Sequence, residues 1–353
     1  MKFGIVTDGG MDGPEKLTYV EKYQQIVAEA VAAEQAGFTL WGTSETHLFA
    51  PTTTVSAPDA IMGAVAVLTS TLKLRYMTLP IPYHHPVQAA ERISTLDVLS
   101  NGRVEVASAR GNNVDFFEVL GIDASRTRDI WKEGLHAIAA LLRDENVDFN
   151  GEFSKFKGVT IHPKLPTPRV PPLYSVATGL ESHKATGNLG IGDMAWDGYF
   201  GWRYLEDCFN TYKTALKDAE PVGDEVLDSF SYFATATAVR ATRAQALADV
   251  EPRAFSFVDL IMRAYGKVAS QPSYEYYEDL QTVKKNQRDL PSLMKHGPSV
   301  MAGTPEDVLD TCKRLERLGV NEIVLSVDGI SGESHRTTIE MFGKYIIPEF
   351  ATH

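Results

Sequence analysis

The chain has 353 residues, 44% of them hydrophobic, with a net charge of −12 and a pI near 5.3. That length and apolar content can bury a large core, as one α/β barrel or as two or three domains. The acidic balance argues against a nucleic-acid partner, which needs clustered Lys and Arg, and there is no apolar run of about 18 residues to span a membrane.

The opening, MKFGIVTDGG, reads as a strand and turn and not as a signal peptide. Residues 3–7 form the strand. Apolar positions 17, 20, 23, 27, 30 and 31 then follow helical spacing, and Gly37 ends that helix before a second strand at 40–45. The same unit recurs down the chain. Helix 58–68 leads to strand 73–80, helix 87–99 to strand 104–110, and helix 126–143 to strand 172–177. A short helix from 181 precedes strand 192–197, helix 202–217 precedes strand 229–239, and helix 305–318 precedes strand 322–328, with a closing helix at 334–346. Strands alternating with crossover helices predict a parallel sheet, and eight units predict a closed (β/α)8 TIM barrel in a single domain spanning 1–353.

Two stretches interrupt this rhythm. Residues 144–171, with their prolines, predict irregular or hairpin-like surface structure. Residues 241–300 exceed what one crossover helix needs. Their aromatics (Phe255, Phe257, Tyr265, Tyr274, Tyr276 and Tyr277) predict an ordered helical insertion that covers a site and packs mainly on itself. Cys208 and Cys312 lie in separate helical segments without CxxC spacing, so they read as reduced, buried thiols of a cytoplasmic protein.

In a parallel barrel the carboxyl ends of the strands hold the site. The fourth strand ends in Arg110-Gly111-Asn112, a fixed cation beside an approachable backbone. Its barrel neighbour ends in Thr178-Gly179, followed by the helix that contains Ser182. An arginine, two hydroxyls and a helix N-terminus form a candidate phosphate site. The plainer alternatives are that Arg110 pairs with a nearby acid and that Thr178 and Ser182 cap the helix. Strand two ends in Glu45-Thr46-His47, where an imidazole beside a carboxylate could exchange protons. His84-His85-Pro86 with Glu91 does not make a metal set, because adjacent side chains diverge and no third ligand is suitably spaced. GxSxG, P-loop and GxGxxG motifs are absent, which removes esterase, NTPase and Rossmann readings.

Four stretches, AEQAGFTLWGTSETHLF, LPIPYHHPVQAAERISTLDVLSNGRVEVASARG, VATGLESHKATGNLGIG and AGTPEDVLDTCKRLERLGVNEIVL, resemble the bacterial luciferase-like flavin-dependent monooxygenases, in family order. The resemblance implies a barrel that binds FMN, taken as FMNH2 from a separate NAD(P)H:flavin reductase. It implies a homodimer that forms a flavin C4a-peroxide with O2 and inserts one oxygen atom into a small hydrophobic or aromatic substrate. By position it assigns Arg110, Thr178, Gly179 and Ser182 to the cofactor phosphate, with Gly111 and Asn112 also in the cofactor site. It places Met77-Thr78 at a non-prolyl cis peptide beneath the flavin ring, and His47, Thr46 and Glu45 in the catalytic region. The chain departs from the light-emitting members at Thr46, where they carry a histidine, and at Ala109, where they carry a reactive cysteine. An F420-dependent hydride-transferring oxidoreductase and a catalytically idle flavin-binding homologue are the alternatives; the Arg110-Gly111-Asn112 end of strand four favours FMN.

Overall fold

The computed structural model describes residues 1–265 and 275–350. Strand β1 (Lys2–Val6) is followed by helix α1 (Tyr19–Gln35) and β2 (Leu40–Ser44). Thr18 starts α1 with a capping box to Glu21, and Gly37 at φ 90° turns the chain back toward the sheet. Helix α2 (Pro58–Leu68), β3 (Lys73–Pro80), α3 (Pro86–Leu99) and β4 (Val104–Ala109) complete the first half. Next come α4 (Val114–Leu120), α5 (Thr127–Arg143), and strands β5 (Val147–Asn150) and β6 (Lys155–Val159). The second half runs through β7 (Leu173–Ala177), α6 (Leu180–Asn188), β8 (Gly192–Ala195), α7 (Trp202–Leu216) and β9 (Phe230–Ala234). It continues through β10 (Ala236–Val239), α8 (Arg243–Tyr265), α9 (Tyr277–Lys285), α10 (Leu290–His296) and β11 (Val300–Gly303). Helix α11 (Pro305–Leu318), β12 (Glu322–Ser326) and α12 (Gly332–Met341) close the chain.

Strands β1, β2, β3, β4, β7, β8, β9 and β12 pair in that order, all parallel, and β12 returns to β1. The expected eight-stranded barrel is therefore present and closed. Its wall permits close approach at Gly42, where an added Cβ would lie 2.2 Å from the Arg75 carbonyl on β3. Inside, Val6, Leu40, Met77, Met194 and Val324 form an apolar plug. The larger core lies between the strands and the surrounding helices. Cys208 and Cys312 are buried free thiols. Among the described residues, no helix is long and apolar enough to cross a membrane.

The two interruptions differ in kind. Segment 144–171 contains the antiparallel β5–β6 hairpin, with Phe149 stacked on Phe156 at 5.5 Å. The second begins earlier than the sequence suggests. The expected strand 229–239 breaks at Thr235, whose amide and hydroxyl both bond the Ser299 carbonyl. Beyond that point β10 leaves the barrel and pairs with β11 in a separate two-stranded sheet. Sequence pattern missed this because 229–239 is continuously strand-like, and only a partner 64 residues away pulls its second half aside. The insertion's aromatics pack on the barrel's outer elements and not mainly on one another: Phe257 meets Trp196, Tyr265 meets Phe200, and Tyr276 meets Tyr204. Tyr274 lies outside the described residues.

Candidate active site

The chain leaves β2 through Glu45, whose amide donates to the Thr78 carbonyl at 2.8 Å and ties this loop to the end of β3. That end is bulged: pairing shifts between Tyr76 and Leu79 toward β4, and between Thr43 and Ser44 toward β2. The cis peptides among the described residues are Ala50–Pro51 and His162–Pro163, so the cis bond expected at Met77–Thr78 is not present. A bulge re-aims Thr78 toward the cleft without the roughly 2.5–4 kcal/mol cost of a non-prolyl cis bond. Met77 turns the other way, into the barrel plug, and does not line the cleft.

The cleft, of about 280 Å³, opens at the carboxyl ends of β2, β3, β4 and β7. Glu45, Thr46, His47, Thr78, Arg110, Gly111, Asn112, Thr178 and Ser182 all border it. Gly179 lies just behind, as the N-cap of α6. That helix has no side-chain cap, so the alternative in which Thr178 or Ser182 caps it does not hold. Arg110 has no ion pair or hydrogen-bond partner among the described residues, which also disposes of the alternative that it pairs with a nearby acid. A second arginine was not anticipated. Arg128, in the first turn of α5, borders the same cleft and is likewise unpartnered among the described residues. Two exposed guanidinium groups and an uncapped helix N-terminus thus meet at one cleft, a donor set of the kind that can take an anion.

The opposite wall is aromatic and acid–base in character. His47 stacks on Phe116 of α4 at 4.2 Å, with Tyr83 edge-on to both rings. Asn113 caps α4 through its side-chain oxygen, and its amide nitrogen donates to the His47 carbonyl at 2.7 Å. The Thr46 hydroxyl donates to the Val55 carbonyl at 3.2 Å, which commits its hydrogen to the loop. Glu45 is almost fully buried and contacts three groups: His47 Nε2 at 3.0 Å, His84 Nε2 at 2.9 Å and Arg92 Nη2 at 3.0 Å. Burial alone would raise its pKa. The bond and charge of His84, the bond from His47 and the charge of Arg92 overcome that and hold it at about 2. Glu45 is therefore an ionised orienting group and not a proton carrier near neutral pH.

His84, which follows a 3-10 turn, stood out in the sequence only as a rejected metal ligand, and Arg92 on α3 carried no signal. His85 turns away and caps α3 through Nδ1. The adjacent histidines thus diverge as anticipated. At the end of β1, burial and the neighbouring Asp328 carboxylate push the Asp8 pKa up to about 6 against hydrogen bonds from Ser44.

With this geometry in hand, comparison with known proteins is decisive on one point. The family described as luciferase-like monooxygenase matches residues 1–322. The chain belongs to that family. Over nearly its whole length it is similar to the oxygenase component of flavin-dependent trigonelline monooxygenase from Acinetobacter baylyi, at 21% identity over 96% of this chain and 92% of that protein. A Mycobacterium tuberculosis protein is 36% identical over 34% of this chain and 43% of its own length. Limonene 1,2-monooxygenase of Rhodococcus erythropolis is 29% identical over 43% of this chain and 42% of its own length. The chain thus spans less than half the length of these last two relatives. Among solved structures, the oxygenating constituent of 3,6-diketocamphane monooxygenase from Pseudomonas putida, in complex with FMN, superposes with a TM-score of 0.79 at 16% identity, covering all of both chains. The F420-dependent tetrahydromethanopterin reductase from Methanopyrus kandleri gives 0.74 at 17%, covering 99% of each. At these identities the structural likeness establishes the shared barrel of this luciferase-like chain.

Proposed function

We propose that this luciferase-like protein is an FMNH2-dependent monooxygenase, the oxygenase of a two-component pair that takes reduced flavin from an NAD(P)H:flavin reductase. The observation that carries the reading is the corner of two unpartnered arginines, Arg110 and Arg128, against the uncapped start of α6. Such a donor set fits a phosphate dianion: charge-assisted bonds from two guanidinium groups, hydroxyls from Thr178 and Ser182, and backbone N–H groups beyond Gly179. The aromatic remainder of the cleft fits a planar ring system. Reduced FMN bound there would supply the electrons that activate O2, so that one oxygen atom enters a small hydrophobic or aromatic substrate.

The chain's own residues then divide the work. Arg110, Arg128, Gly111, Asn112, Thr178, Gly179 and Ser182 hold the anionic end. His47 moves a proton at the cleft, Glu45 orients it, and Thr46 fixes the loop through Val55. Phe49, Tyr83 and Trp131 shield the cleft from water. The same reading takes the chain as a single domain that forms a homodimer. Val67 and Leu68 on α2, beside Val98 and Leu99 on the neighbouring α3, offer an exposed apolar face for it, and sedimentation velocity tests this. The experiment for the reaction is anaerobic titration of the apoprotein with FMNH2, FMN and F420H2, followed by admission of oxygen. Preferential FMNH2 binding with oxygenated product supports the proposal. Preferential F420H2 binding, or no turnover with oxygen, rejects it.

A further inference from the structure

Glu45 is the centre of a charged chain that runs from the cleft into the protein. Arg92 reaches Glu45 through Nη2 and meets Asp59 of α2 at 2.5 Å, and Asp59 accepts a 2.5 Å bond from the Tyr76 hydroxyl. Two carboxylates and one guanidinium leave this group one positive charge short, with Tyr76 a neutral donor. Either His47 or His84 could supply the missing charge by taking a proton.

Hydrogen bonding decides between them. His84 Nε2 lies 3.0 Å from a Glu45 oxygen, which can only accept, so that nitrogen carries the hydrogen. Arg92 Nη1 lies 3.0 Å from both His84 ring nitrogens; a guanidinium can only donate, and with Nε2–H directed at Glu45 the acceptor it meets is Nδ1, so a cation faces the nitrogen that a second proton on His84 would need. His47 is arranged differently. Its Nε2 donates to Glu45 at 3.0 Å, but its Nδ1 has no partner among the described residues, on a ring that borders the cleft.

We propose that Arg92 and His84 are positioning residues acting through Glu45: they fix His47 as the Nε2–H tautomer and leave its Nδ1 as the one nitrogen of the cluster that exchanges a proton with the cleft. The purpose rests on the monooxygenase reading; the arrangement does not. The groups facing His47 are Glu45 from its own loop and the Tyr83 phenol from the turn after β3. Helix α4 adds the uncharged Phe116 and Asn113, and Arg110 and Arg128 share the cleft.

The test uses the intact apoprotein with 15N-labelled histidine, its imidazole nitrogens followed by long-range 1H–15N correlation through a pH titration. Wild type is expected to show His84 neutral across the His47 transition, with His47 as the Nε2–H tautomer when unprotonated. Arg92→Met removes the cation that shares Glu45, so the His47 midpoint should rise by roughly one pH unit. Arg92→Lys should restore most of it. Asp59→Asn frees Arg92 toward Glu45 and should move the midpoint the other way, so the proposal stays testable if Arg92→Met fails to fold. His47 with an unchanged midpoint and tautomer in a folded Arg92→Met or Asp59→Asn protein would make the network merely structural and overturn the proposal. So would a His84 that titrates in place of His47. Because no flavin is present, the expected shifts without flavin-dependent turnover would reject the monooxygenase reading and leave the positioning network standing.

Discussion

Two arginine–carboxylate clusters occupy opposite ends of the barrel and do different things. Arg75 is wholly buried in the wall of β3. Its Nε and Nη2 bond Glu105 at 2.9 and 2.5 Å, its Nη1 bonds Glu322 at 2.6 Å, and its guanidinium lies 3.8 Å from the centre of the Tyr174 ring. Ser231 adds a bond to Glu322. Every participant sits on a barrel strand, so the geometry is fixed by pairing register and serves the scaffold. Arg92 belongs instead to a helix, and its partners to a loop, a turn and another helix. That chain ends on an imidazole at the cleft. The same chemistry braces the fold where both ends are buried, and sets up a proton-exchanging side chain where one end is left open.

Breaking the scaffold cluster should have the largest effect. Arg75→Met strands two buried carboxylates, and the loss should be about 3–5 kcal/mol of unfolding free energy in urea titrations, with ligand affinity of the folded fraction unchanged. A change below about 1 kcal/mol would show that the cluster contributes little.

Acid titration should separate Glu45, at the cleft, from Asp8, at the end of β1, by sign. Glu45 titrates near 2 in the fold against an ordinary 4.5. Its contribution, on the order of 3 kcal/mol, is complete above about pH 4.5 and lost as pH falls toward 2. Asp8 behaves oppositely. Raised from 3.8 to about 6, it costs stability above pH 6, and that cost disappears as pH falls toward 3.8. Asp8→Asn should therefore raise stability at pH 7 by on the order of 3 kcal/mol and flatten the pH 4–6 region. Glu45→Gln should reduce the loss below pH 4.5. Denaturant midpoints measured at several pH values check both.

At the open end, His47→Ala should lower product formation by at least about 100-fold, with FMNH2 still bound and hydrogen peroxide release raised. Unchanged product yield and unchanged peroxide release would make His47 a packing residue. The smallest effect is expected at the anion corner. Arg110→Ala should weaken FMNH2 binding roughly ten- to hundredfold, since one charge-assisted contact contributes about 1.5–3 kcal/mol and Arg128 remains. Equal affinity in the variant would remove Arg110 from the phosphate site, and the double variant with Arg128→Ala should lose more than either alone.

The sequence alone determined the barrel, because each strand–helix unit carries its own periodicity and stop signals, such as Thr18 and Gly37 around α1 or Thr304 and Gly319 around α11. It also brought Arg110 and Thr178 together. Consecutive units of a parallel barrel are neighbours, and β4 does pair with β7 despite the hairpin between them. Tertiary structure decided what local pattern could not express. The β10–β11 pairing depends on a partner far along the chain, and the bulge at Met77–Thr78 on two neighbouring registers. Arg128 reaches the cleft only because α5 packs across its rim, and Glu45 meets His84 and Arg92, with Arg92 meeting Asp59, only once four elements converge. Spacing along a chain places side chains on a helix face or a strand end; which charges then share one carboxylate is set by the packing between elements, where desolvation makes each contact strong enough to matter.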